Sequence, residues 1–181
     1  MHQKTRRIAL LGLLFAVSLV LSFLEGLIPP LPAMPPGVKL GLANIVVMYS
    51  LLCLDFRSAL TLTALKGLSA FLMRGAISAC MSLAGSLVSV LAMEGVVLFS
   101  RAAKKGRKVD FLTLAMTGSI GHNLGQIGMS VLLLKTTVAF YYLPVLLISG
   151  VVMGVVTGST LRVVMPHIQR LQLRGENGRR Q

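Results

Sequence analysis

The sequence predicts an all-α integral membrane protein, a bundle of six transmembrane helices with both termini on the cytoplasmic side. Three observations carry that prediction. The 181 residues are 55% hydrophobic and only 13% charged, with a mean hydropathy of +0.82, where a soluble domain carries about a quarter charged residues. The apolar residues fall in successive runs of roughly 15 to 26, and about 20 are needed to cross a bilayer. The basic residues gather on alternate connections instead of along the whole chain. A water-soluble globular domain and a disordered chain are both excluded. Residues 1–165 read as a single transmembrane domain and 166–181 as a polar, basic cytoplasmic tail.

The first span, residues 8–28, follows His2, Lys4, Arg6 and Arg7. It is longer than a signal-peptide core, lacks a small-x-small cleavage site and precedes further spans, so it reads as a retained helix. The run Pro29-Pro30-Leu31-Pro32-Ala33-Met34-Pro35-Pro36-Gly37 then ends it, because prolines at this density cannot stay helical. The second span is 39–54 and the third 58–73; three residues, Asp55-Phe56-Arg57, join them, which makes them antiparallel neighbours. The fourth is 77–100. After the basic loop 101–108 come the fifth, 111–134, and the sixth, 140–164, and the tail from Pro166 is expected to fray.

Six spans put both termini, Arg57 and the 101–108 loop on one face. That face holds 14 of the 18 Lys and Arg, the other has Lys39, Arg74 and Lys135, and Lys66 is mid-span. By the positive-inside rule the basic face, with both termini, is cytoplasmic. A net charge of +13 therefore reports topology and anionic headgroups, not nucleic acid. Cys53 and Cys80 lie within apolar runs, where neither a framework disulfide nor a metal site is expected.

Small residues recur four apart: Gly12 and Ala16; Ala76, Cys80 and Ala84; Ser82 and Ser86; Gly121 and Gly125; Gly150, Gly154 and Gly158. Four residues is about one turn, so each series is a flat stripe that another backbone can approach closely. Most are expected to pack within the bundle. Ala9, Gly12 and Ala16 share a face near the cytoplasmic end of the first span, where a partner subunit could dock.

Ionisable and amide residues inside spans are costly enough to mark function. They are Glu25, Lys39, Asn44, Lys66, Arg74, Glu94, His122, Asn123 and Gln126. His122 and Gln126 are i, i+4 and Asn123 and Gln126 are i, i+3, which gives one polar arc. Lys66 and Arg74, eight apart, differ by about 80° around a helix and could face one cavity. Two readings follow. In one, several cations against a single outer carboxylate form a cavity for an anionic solute bearing phosphate or carboxylate. In the other, Glu25 pairs with Lys39 or Arg74, and the amides join helices.

Catalysis by prenyl transfer needs aspartate-rich clusters that hold magnesium, and this chain has two aspartates, Asp55 and Asp110, at span ends. It has no Gly-x-x-x-x-Gly-Lys-Ser/Thr phosphate loop, no His-Glu-x-x-His and no Gly-x-Ser-x-Gly. The expectation is a non-enzyme without a cofactor of its own. Uphill transport would draw on ion coupling, for which Glu94 is thin support, or on another subunit.

Lys39-Leu-Gly-Leu-Ala-Asn44, Ser82-Leu-Ala-Gly-Ser86 leading to Met93, Gly121-His-Asn-Leu-Gly-Gln126, and Tyr142-Leu-Pro144 followed by Gly150, Gly154 and Gly158 resemble one membrane family across nearly the whole chain. It is the Gx transporter family, also labelled heptaprenyl diphosphate synthase component I and grouped with substrate-binding S components of energy-coupling factor vitamin transporters. The resemblance implies a six-helix S-component fold, an outward-opening solute site, and partnership with a transmembrane T subunit and two cytoplasmic ATPases that use ATP. It also implies that small residues of the first helix meet the T subunit. The family pattern there is commonly Ala-x-x-x-Ala, against Gly12-x-x-x-Ala16 here, and arginine often stands where this chain has Lys66. Lysine keeps the charge but loses the planar fork.

The expected solute site is therefore Lys39, Asn44, Lys66, Arg74, His122, Asn123 and Gln126. Lys66 and Arg74 would neutralise the anion, Asn44, Asn123 and Gln126 would orient it, and loop 29–37 would cover it. The competing expectation is a non-catalytic accessory membrane subunit of heptaprenyl diphosphate or menaquinone synthesis, and a stand-alone proton-coupled carrier comes third.

Overall fold

The structure is a computed structural model that describes residues 2–27, 41–102, 109–135, 140–141 and 143–177, and all regular structure among them is helical. The helices are α1 (His2–Leu27), α2 (Asn44–Cys53), α3 (Phe56–Ala102), α4 (Phe111–Leu134) and α5 (Leu143–Asn177). Inside α3, Gly75 adopts φ 84°, ψ 178°, a left-handed geometry that glycine takes without a Cβ clash. It splits α3 into two limbs, 56–74 and 76–102, and so gives six helical segments. The limbs fold back on each other: Lys66 bonds Ser86 across them, and Gly67 faces Leu83. Three helical stretches are long and apolar enough to cross a membrane, namely Arg7–Leu27, Ala76–Ala102 and Leu143–Val163.

The long helices pack antiparallel through glycines. A Cβ on Gly125 would lie 2.6 Å from the Ala84 carbonyl oxygen, and one on Gly121 3.4 Å from the Ser89 Cα, so α4 runs against the second limb of α3 with numbering reversed. A Cβ on Gly154 would lie 2.6 Å from Met116 Cα, and one on Gly158 3.0 Å from Leu112 Cα, which sets α5 antiparallel to α4 in the same way. Each glycine stands where backbone meets backbone, the use of small residues between helices in lipid. Within this frame α2 is almost wholly enclosed, with Val46 to Leu51 buried. Val47, Met48 and Leu51 pack with Ala59, Val90, Met93, Leu114 and Leu161 in the main apolar core.

Two ion pairs mark one end of the bundle. Arg7 of α1 reaches Asp55, and Arg162 of α5 reaches Asp110, which precedes α4. Asp55 also caps α3: its Oδ1 accepts from the Ser58 backbone N–H at 2.7 Å, satisfying one of the donors a helix start leaves open. The outer surface is apolar. Ile8, Leu13, Phe23, Leu72, Leu132, Ile148 and Val163 are all exposed, a distribution expected of a protein whose solvent is lipid.

The segment bounds differ from expectation at three places. α1 begins at His2, several residues before the apolar run. α2 begins at Asn44 instead of 39, because Gly41, at φ 90°, turns the chain just before it and accepts the Asn44 N–H at 2.8 Å. Ten residues of α2 span only about 15 Å, half a hydrocarbon core. α5 continues through Pro166 to Asn177; the proline removes one backbone donor, and the good helix formers beyond it, Gln169, Arg170, Leu171, Gln172 and Leu173, carry the helix on. Loop 29–37, Lys39 and most of the 101–108 loop lie outside the described residues.

Two outcomes test this packing. Gly125→Ala and Gly154→Ala drive a methyl into backbone and are expected to destabilise the protein by about 1–3 kcal/mol, whereas Gly128→Ala, with nothing within 4 Å of its Cβ position, is tolerated; thermal unfolding in detergent reads the contrast. Ser58, through its hydroxyl and backbone N–H, and Arg7 hold the Asp55 carboxyl below the usual aspartate range. A depressed folded-state pKa contributes stability above the unfolded value, lost as pH falls through the folded one. Asp55→Ala is therefore expected to lose about 1 kcal/mol near neutral pH, with its deficit against wild type shrinking in melts at progressively lower pH below about 4.

Candidate functional site: a buried cationic cavity

The core occupies the ion-pair half of the bundle, and the other half holds a polar cavity. Its walls come from five places: Ser22 and Glu25 from the last turns of α1, Gly41 from the turn before α2, Lys66 and Arg74 from the first limb of α3, Ser78 and Ser82 from the second, and His122 and Gln126 from α4. Lys66 is buried at 6% exposure and its ammonium donates to Ser86 Oγ at 3.3 Å. Arg74, one residue before the Gly75 break, is exposed at the cavity's edge. The cavity itself is small, about 20 Å³, room for a water molecule and little more.

Glu25 faces both cations. Its carboxylate is buried at 6% exposure, accepts the Gly41 backbone N–H and lies in the electrostatic field of Lys66 and Arg74. It does not close to ion-pair contact with either: the ion pairs among the described residues are those of Arg7 with Asp55 and Arg162 with Asp110. With Glu25, Lys66 and Arg74 ionised, these three carry a formal charge of +1, and the site is cationic.

The imidazole of His122 sits between glycines. A Cβ on Gly41 would lie 3.2 Å from His122 Cδ2, and one on Gly85 2.9 Å from Cε1. Gln126 Nε2 lies 2.8 Å from His122 Nε2. With the amide donating, Nε2 accepts and the ring proton sits on Nδ1, a buried atom without a hydrogen-bond partner. The i, i+4 pair of the polar arc thus points into the cavity together.

The structure parts the remaining expected residues from these. Asn44 does not line the cavity: its amide donates to Ser89 Oγ at 2.9 Å, and it borders a separate space of about 10 Å³ toward Met48, Met93 and Thr157. Asn123 faces α5 instead, where its amide donates to the Leu146 carbonyl at 2.5 Å and to Ser149 Oγ at 3.4 Å. Both act as joints between helices. Lys39 lies outside the described residues. Ala9, Gly12 and Ala16 are exposed on α1, with nothing within 4 Å of a Cβ at Gly12.

Sequence reasoning took Ser82 and Ser86 for a packing stripe and placed no serine at the site. Ser78, Ser82, Ser86 and Ser89 recur at intervals of four, four and three along the second limb of α3, a period that keeps them on one face. That face supplies cavity wall, the acceptor for Lys66 and the acceptor for Asn44 in turn. The regular hydroxyl spacing was the available signal. The aspartates, by contrast, are both engaged by arginines at the far end of the bundle, and among the described residues no group of three His, Cys, Asp or Glu could hold a metal ion.

An all-helical bundle with an apolar exterior and a buried cationic cavity defines the class. The chain belongs to the family described as heptaprenyl diphosphate synthase component I, whose profile matches residues 14–164. No curated protein and no solved structure matches it.

The separation of joints from cavity residues is testable. Asn123→Ala removes the buried bond to the Leu146 carbonyl and the longer one to Ser149 and is expected to cost about 0.5–1.5 kcal/mol in unfolding free energy. Gln126→Ala is expected to change anion binding at a smaller loss of stability, read by melting and ligand titration on the same preparations.

Proposed function

We propose that this chain is the solute-binding membrane subunit of an importer of the energy-coupling factor type. It crosses a bacterial cytoplasmic membrane six times with both termini inside. The single observation that supports this best is the cavity: Lys66, Arg74, His122 and Gln126, from two helices, meet beside a carboxylate in an otherwise apolar bundle. Uncompensated cations in such a setting are costly unless a ligand neutralises them. The solute class is a small anion with a phosphate or carboxylate group, such as a vitamin or an acidic isoprenoid or quinone precursor. The cavity of about 20 Å³ is far below the several hundred Å³ a solute needs, so binding requires a wall to move. The apolar stretch of α1 is only 11% buried, which makes α1 the wall that shifts at least cost.

In this reading the exposed Ala9, Gly12 and Ala16 face of α1 receives the T subunit, and two ATPases supply ATP hydrolysis from the cytoplasm. In the same reading the chain is not a catalyst, which the engagement of Asp55 and Asp110 by arginines away from the cavity supports.

The family description favours a second reading: a non-catalytic membrane component that assists a heptaprenyl diphosphate synthase. Native mass spectrometry of the protein purified in mild detergent from its own host separates the two. The importer reading expects a stoichiometric anionic solute with a T subunit and ATPases, and loss of solute on Arg74→Ala. A copurifying prenyl synthase with no bound solute would replace it with the accessory reading.

A further inference from the structure

Resting on the anion-binding reading of the cavity, we infer that Glu25 is a built-in counter-anion, a side chain of α1 that competes with the solute's acidic group for Lys66 and Arg74 and thereby sets how strongly charged a solute must be to bind.

Three observations converge on Glu25. It lines the same cavity as the two cations and lies in their field. Its hydrogen bonds are to neutral donors, the backbone N–H groups of Gly41 and Leu42, so its carboxylate is placed in the field of Lys66 and Arg74 without being locked to them. It is also carried by α1, whose apolar stretch is the least buried of the three long ones.

The energetics favour this arrangement in the empty protein. Two buried or half-enclosed cations without an anion would repel one another in a low-dielectric space, and a carboxylate supplied in cis removes that cost. An incoming anion meets a site with formal charge +1 instead of +2. It must either share the cations with Glu25 or displace it, and the weak hold on Lys66, one hydroxyl at 3.3 Å, leaves ammonium donors available for the exchange. Glu25 thus acts as a threshold. A singly charged adventitious ion gains little over the carboxylate already present, while a multiply charged group gains more.

The test uses the full chain in detergent, with orthophosphate as the probe and chloride at matched ionic strength as the reference. Glu25→Gln keeps the shape and removes the charge, so it is expected to be less stable than wild type in chloride. Phosphate should restore its melting temperature at about tenfold lower concentration than affects wild type. The double variant Glu25→Gln, Lys66→Met should lose that response, which excludes phosphate held by the basic end of the bundle. Glu25→Ala repeats the measurement if the glutamine variant does not accumulate. Equal phosphate sensitivity in wild type and Glu25→Gln overturns the role of Glu25 while leaving the solute site standing, whereas a response that persists in the double variant puts the phosphate outside the cavity and overturns both. Insensitivity of both proteins to phosphate, together with no bound solute in native mass spectrometry, overturns the cavity reading as well.

Discussion

Close backbone contact between the second limb of α3, α4 and α5 is the constraint on which the rest of this structure depends. Lipid tails are as apolar as leucine, so helices in a bilayer gain little by hiding apolar side chains from it. What holds them is contact at van der Waals distance, and Gly125 against Ala84 and Gly154 against Met116 supply it. The same approach makes the cavity possible. With α4 pressed to α3 at Gly125, His122 about one turn before it and Gln126 next to it are brought to the serine face of α3, and a Cβ at Gly85 would already strike the His122 carbonyl at 2.8 Å. Packing glycines and polar residues alternate along α4 because each glycine creates the space that its polar neighbour then fills.

The two halves of the bundle divide the work. The half with Asp55 and Asp110 is pinned by ion pairs and filled by the apolar core around α2. These exposed pairs contribute modestly in energy, yet they fix which helix ends meet. In the other half α2 is missing, since it begins only at Asn44, and the volume a longer α2 would fill is taken by the Gly41 turn, Glu25 and the two cations. A short central helix and a polar cavity are therefore one feature. The turn at Gly41 both ends α2 early and presents the N–H that holds Glu25.

Much of this was legible in the sequence. The bounds of α4 coincide with its apolar run, and the break at Gly75 falls in the gap between the third and fourth predicted spans, because a charged residue followed by glycine interrupts both hydropathy and helix. The pairing of His122 with Gln126, and the approach of Lys66 and Arg74 to one cavity, follow from helical spacing alone. The start of α2 was not legible, since Lys39-Leu-Gly-Leu-Ala reads as apolar helix until a tertiary hydrogen bond to Glu25 favours the left-handed glycine. Nor was the side on which Asn44 and Asn123 fall. Spacing places Asn123 within 60° of Gln126, and only the position of α5 decides that its amide meets the Leu146 carbonyl instead of the cavity. The passage of α5 through Pro166 was likewise hidden, because local propensity argues for a stop there.

The distinction between helix joint and binding residue, which composition cannot draw, is drawn here by what each side chain faces: another helix for Asn44 and Asn123, the cavity for Lys66, His122 and Gln126. Asn123 donates to a backbone carbonyl and a serine of α5, partners that no solute could displace without unpacking two helices. Lys66 has three donors and one long bond to Ser86 among the described residues, and His122 keeps Nδ1 unpartnered. Buried polar groups left short of partners are unfavourable, and they are retained where something else completes them. Buried polar atoms short of a partner occur at several places among the described residues, Asn44 Oδ1, Asn123 Oδ1, Ser50, Thr63 and Ser130 included, but His122 Nδ1 is the one that stands beside the two cations. Lys66 and His122 stand on one small cavity beside a carboxylate that the chain itself provides, so an anion entering there would complete several of them at once. The gathering of Lys66, Arg74 and His122 around one space distinguishes the cavity from the amide joints of the same helices, whose own Oδ1 atoms are equally unpartnered but face no cation among the described residues.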